Sequence, residues 1–93
     1  MPRRPVAPDP IAAAFGRAIR HARTARGETL EDVAGRIPTT GRNGRGTMDP
    51  RYLGEIEAGW HAPSIVRAVA IAEALETSLA DLVGVLDARD DSV

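Results

Sequence analysis

A chain of 93 residues has room for one domain, and its 43% hydrophobic content is that of a globular chain rather than a disordered tail. The absence of cysteine excludes disulfide frameworks, thiolate metal sites and cysteine nucleophiles, and with single Phe, Tyr and Trp residues the core has to come from Ala, Val, Ile and Leu on packed helices. The net charge of −1 conceals a division, because residues 1–52 hold ten Arg against five acidic residues while residues 53–93 hold two Arg against eight, an arrangement expected to give one basic and one acidic face.

Segment 1–8 includes Pro2, Pro5 and Pro8 and reads as an extended Pro/Arg arm, with Arg3 and Arg4 available to touch phosphate. It lacks the apolar stretch of a signal peptide. No run approaches the roughly 18 apolar residues of a membrane span, so a soluble, cytoplasmic, nucleoid-associated protein is expected. A first helix is predicted from Asp9-Pro10, where the carboxylate offers an acceptor to free first-turn amides and proline sacrifices no bonded N–H. Ile11, Phe15, Ala18, Ile19 and Ala22 then form one inward stripe at helical spacing, Arg17, Arg20 and Arg26 face outward, and Gly27 ends the helix.

Thr29 with Asp32 has the spacing of a capping box, and opens a short second helix that buries Val33, Ala34 and Ile37 before Pro38 closes it. The stretch TTGRNGRGT from Thr39 to Thr47 has three glycines and no apolar residue, so it is a loop. Asp49-Pro50 repeats the first start signal and begins a third helix of about two and a half turns, with Leu53 and Ile56 inward and Gly59 at its end. After a connector containing Trp60, Ser64 caps a fourth helix. Its apolar positions Ile65, Ala68, Val69, Ile71, Ala72 and Leu75 spread over more than one face and predict a place at the centre of a small bundle. Ser78 and Asp81 then open a fifth helix with Leu79, Leu82 and Val83, and residues 87–93 form an acidic, frayed tail.

In this order of parts, FGRAIRHARTARGETLEDVA, YLGEIEAGWHAPS and SIVRAVAIAEALETSLADLV resemble the XRE/Cro/CI-type helix-turn-helix family. The resemblance implies an all-α, compact five-helix domain over residues 9–86, lambda-repressor-like, with an extended connector before the recognition helix. It further implies a transcriptional regulator that binds double-stranded DNA as a homodimer on paired half-sites. By the same resemblance Arg23 pairs with Glu57, tying the first helix to the third. The recognition helix spans about 49–58 and presents Pro50, Arg51, Tyr52 and Glu55 outward. Arg51 is then the foremost base reader, since a guanidinium can bond guanine O6 and N7 together. Glu55 has two open roles, accepting from a cytosine amine or neutralising Arg51 one turn away. Tyr52 and Thr47 are expected phosphate contacts.

Three residues depart from the family pattern. Leu30 stands where a phosphate-contacting Gln is common, Gly54 lies inside the recognition helix, and Glu76 occupies a left-handed cap position that favours glycine. The largest departure is the 38–47 insertion, which makes the connector about nine residues longer than a tight turn. Its Arg42 and Arg45 are either DNA-backbone contacts among glycines or incidental charges on a loop.

No cofactor is implied. His21 and His61 stand far apart without ligand partners and read as solvent-facing or packing residues, no metal site is indicated, and no nucleophile, base and acid assemble into an enzyme's catalytic set. Trp60 is expected to cover the edge of the core rather than stack on a base. The alternative function is an antitoxin-like or adaptor module that binds a protein partner through its acidic second half, from Glu73 to Asp91.

Overall fold

The computed structural model describes residues 8–39 and 46–84. Arg42, Arg45, the arm before Pro8 and the tail after Gly84 lie outside the described residues. The helices are α1 (Pro10–Ala25), α2 (Leu30–Ala34), α3 (Pro50–Glu57), α4 (Ile65–Ala74) and α5 (79–84). Among the described residues there is no strand, only an isolated antiparallel bridge between Pro38 and Thr47. The described residues are all-α with five helices, as the sequence predicts.

Each predicted start signal makes its bond. Asp9 Oδ1 accepts from the amides of Ile11 and Ala12 at 2.8 and 3.0 Å, and the Asp49 carboxylate accepts from Arg51 N at 2.9 Å. Thr29 and Asp32 form a reciprocal capping box, while Ser64 and Ser78 accept from the amides of Arg67 and Asp81. Caps of this kind are each worth about 1 kcal/mol. Three helices also stop by one device, in which the two residues beyond the cap bond back to carbonyls of the last turn. In α1 these bonds are Gly27 N to Thr24 O and Glu28 N to Arg23 O; in α3, Gly59 N to Ile56 O and Trp60 N to Glu55 O; in α4, Glu76 N to Glu73 O and Thr77 N to Ala72 O. Glu76 takes the left-handed conformation at φ 57°, which costs a non-glycine residue about 1 kcal/mol.

The core gathers Ile19, Val33, Ile37, Leu53, Ile56 and Ile71, all fully buried. Helix α2 is shorter than predicted. It ends at Ala34, and the amides of Arg36 and Ile37 bond three residues back to Val33 and Ala34, so Ile37 is still delivered to the core by a tightened turn. Met48, which the sequence reading passed over, is buried at the position before the Asp49 cap. It joins the same cluster as Leu53 and staples the entry of α3.

The predicted central placement of α4 is incorrect. Ala68, Ile71, Ala72, Ala74 and Leu75 are buried, whereas Ile65 and Val66 are 68% and 74% exposed and Val69 is also exposed. In a domain this small, helices cover α4 along one stripe and leave its first turn open. Ile11, expected inside, is exposed beside it, and Trp60 is 47% exposed rather than sealing the core edge.

Helices α1 and α3 touch backbone to backbone. A Cβ on Gly16 would lie inside the contact shells of Ile56 O and Glu57 O and 2.7 Å from the Glu57 carbonyl carbon. A Cβ on Gly59 would stand 2.8 Å from Ala13 Cα. The insertion, by contrast, leaves and re-enters through a paired stem: besides the Pro38–Thr47 bridge, Thr39 N bonds Gly46 O at 3.2 Å and Met48 N bonds Ile37 O at 2.9 Å. Extra length in the loop therefore leaves the relation of α2 to α3 intact.

Candidate nucleic-acid interface

The orientation of α3 is set from behind. Arg23 Nε and Nη2 donate to the two carboxylate oxygens of Glu57 at 2.7 and 3.0 Å, and its Nη1 donates to Glu28 O at 2.8 Å. The side chains are only 13% and 6% exposed, so this planar two-point pair sits in the seam between α1 and α3. Its hydrogen bond to Glu57 raises the Arg23 pKa further, outweighing the opposing effect of burial. Nearby, Arg36 and Arg26 both donate to Glu28, holding its carboxyl down to about 2, and Arg36 also reaches the Ala74 carbonyl at the end of α4. That network locks the α1–α2 corner onto α4.

With Leu53 and Ile56 buried and Glu57 committed to Arg23, the other side of α3 faces outward. Arg51 is exposed one residue inside the helix start, and its side chain makes no salt bridge among the described residues. Pro50 is half-buried at the first helical position and Thr47 is exposed at the mouth of the insertion stem. Leu30 packs its Cδ1 3.3 Å from where a Cβ of Gly54 would stand, so α2 meets α3 through an apolar contact at that place.

Glu55 does not neutralise Arg51. Its Oε1 lies 2.9 Å from His61 Nε2, because the Trp60 N to Glu55 O bond folds the exit loop back over α3. The His61 ring in turn stacks obliquely on Tyr52, with centroids 5.3 Å apart at 33°. Beyond Tyr52 lies Arg67, from the first turn of α4, its guanidinium carbon 5.6 Å from the ring centroid and its Nη1 donating to Tyr52 Oη at 3.4 Å. The sequence reading singled out Tyr52 and Glu55 but not their association with His61 and Arg67. The spacing of Tyr52 to Glu55 on one helix was visible; closure of the loop that brings in the other two was not.

Arg42 and Arg45 lie outside the described residues. Among the described residues no group of three His, Asp or Glu side chains could hold a metal ion, and no helix is long and apolar enough to cross a membrane. His21 is exposed on α1.

The crystal structure of the restriction-modification controller protein C.AhdI from Aeromonas hydrophila is similar to this chain, with 28% identity and a TM-score of 0.64 over 76% of this chain and 94% of that one. No family model and no curated protein matches.

Proposed function

We propose that this chain, an XRE/Cro/CI-type helix-turn-helix protein by its fold, is a transcriptional regulator that binds duplex DNA sequence-specifically with α3 in the major groove. The observation that carries this reading is the two-sided build of α3. Its inner side is clamped to α1 by Arg23–Glu57, and its outer side presents an exposed Arg51, without a salt bridge among the described residues, at the end that approaches base edges in this geometry. In this reading Arg51 bonds guanine, Pro50 packs beside it, and Glu55, oriented by His61, accepts from a cytosine amine. Tyr52 and Thr47 are sugar-phosphate contacts, the role also assigned to Arg42 and Arg45 of the insertion, which lie outside the described residues. A controller role, the role named for C.AhdI, fits a chain with this fold.

A homodimer belongs to the same proposal. Exposed Ile65 of α4 and Ile11 of α1 line a cleft of about 540 Å³ together with Phe15, Ala68, Leu79 and Val83, and Val66 and Val69 are further exposed apolar residues of α4. A second copy would remove this apolar surface from water. The operator would then carry two half-sites about 34 Å apart or a multiple of that.

The test is a DNA-binding titration against random and genomic duplexes across salt concentrations, for the parent and Arg51→Ala. The parent should show a steep decline of log affinity with log salt, and the variant should lose about 1–3 kcal/mol of discrimination at one base position. Absence of salt-sensitive binding by the parent would refute this reading and favour a protein-binding module, for which exposed Glu73, Glu76 and Asp81 supply an acidic surface.

A further inference from the structure

The arginines of the described residues differ in what surrounds them. Arg23, Arg26 and Arg36 each hold a carboxylate, while Arg17, Arg20, Arg51 and Arg67 make no salt bridge among the described residues. Of these four, Arg67 alone lies over an aromatic ring among the described residues. It is the third residue of α4, where a cation meets the positive end of the helix dipole and is disfavoured in the free protein. Tyr52 offsets this by offering its ring face to the guanidinium and its hydroxyl as acceptor. Tyr52 is itself held, half-buried against the core and stacked obliquely by His61.

We infer that Arg67 is a DNA-phosphate contact positioned by Tyr52, so that α4 holds the duplex backbone beside the recognition helix. This rests on the reading of the chain as a DNA binder. A guanidinium has five N–H donors in a planar fork, and one of them reaches Tyr52 through a long 3.4 Å bond. The others remain for a phosphate, which suits the fork and is also drawn toward the helix end where Arg67 is otherwise out of place. The arrangement assigns Tyr52 a different task from that of a direct contact: its ring and hydroxyl set where the Arg67 fork points. Backbone contacts carry no sequence information, so Arg67 contributes affinity and register while Arg51 contributes choice of bases.

The experiment compares the parent, Arg67→Ala, Arg67→Lys, Tyr52→Phe and Tyr52→Ala in duplex binding over a range of salt, with thermal melting of each variant as the check on folding. Arg67→Ala should weaken binding to all duplexes on the order of tenfold at low salt and reduce the steepness of the log–log salt dependence by about 0.9, with the order of preferred sequences unchanged. Arg67→Lys should keep the salt dependence and recover only part of the affinity, because a point charge replaces a fork. Tyr52→Phe, which keeps the ring and loses the hydroxyl acceptor, should fall between the parent and Tyr52→Ala, and Tyr52→Ala should approach Arg67→Ala in affinity while retaining most of the salt dependence. A parent that binds DNA steeply with salt but is matched by Arg67→Ala in affinity and slope overturns the role of Arg67 alone. A change of sequence preference in Arg67→Ala overturns it as well, in favour of base reading. A parent without salt-sensitive binding overturns the DNA reading itself.

Discussion

The two sides of α3 are built by opposite rules. Toward α1 the helix meets another backbone directly, at Gly16, and locks there through a buried two-point ion pair between Arg23 and Glu57. Toward solvent it carries Arg51, Tyr52 and Glu55, whose partners His61 and Arg67 are exposed and held by single or long contacts. The inner side has no room for alternatives, so it sets the angle of the helix. The outer side has room for exchange, so side chains can be replaced there without refolding the domain.

This contrast is broken most directly at Gly16. Helix propensity alone favours Gly16→Ala by about 1 kcal/mol. The added methyl, however, would enter the carbonyl shells of Ile56 and Glu57, and those atoms are backbone and cannot rotate aside. The expected outcome is a net loss of about 3 kcal/mol or more, or failure to fold, read as the midpoint of a urea titration. An unchanged or raised midpoint would show that α1 and α3 can slide, and the inner side would lose its claim to set the angle.

The ion pair comes next. Glu57→Gln leaves Arg23 charged, little exposed and short of its carboxylate, and Arg23→Ala leaves Glu57 in the mirror condition. Each should cost about 3 kcal/mol by the same titration, while the double variant Arg23→Met with Glu57→Leu should recover part of that loss, because no uncompensated charge then remains. Two single-variant losses below about 1 kcal/mol would mean that the pair behaves as a surface salt bridge.

Much of this scaffold was legible in the sequence because helix starts are local. Asp9-Pro10, Thr29 with Asp32, Asp49-Pro50, Ser64 and Ser78 each announce a helix within three or four residues, and each makes its capping bond in the folded chain. The Arg23–Glu57 pairing, 34 residues apart, followed from the family resemblance rather than from any local signal. What escaped was relational. Gly16 reads as an ordinary poor helix former until α3 is laid across it. The exposure of Ile65 and Val69 contradicts an apolar pattern that takes no account of how few helices are present to cover α4. On the outer side, Glu55 met His61 instead of Arg51 because the closing turn after α3 folds the chain back, and periodicity along one helix contains nothing about that turn.

The smallest effect is the one that most sharpens the contrast. Glu55 and His61 keep 44% and 48% of their side-chain surfaces exposed, and a pair at that exposure yields little net stability because water competes for both partners. Glu55→Gln and His61→Ala should each shift the unfolding free energy by no more than about 0.5 kcal/mol. The same substitutions remove, respectively, the charge of the proposed cytosine acceptor and the group that orients it. Changes in preferred DNA sequence should therefore appear in both variants without a stability change to account for them. A drop in stability comparable with that of Glu57→Gln would make the outer side part of the scaffold, and any accompanying loss of DNA binding would then report on folding rather than on recognition.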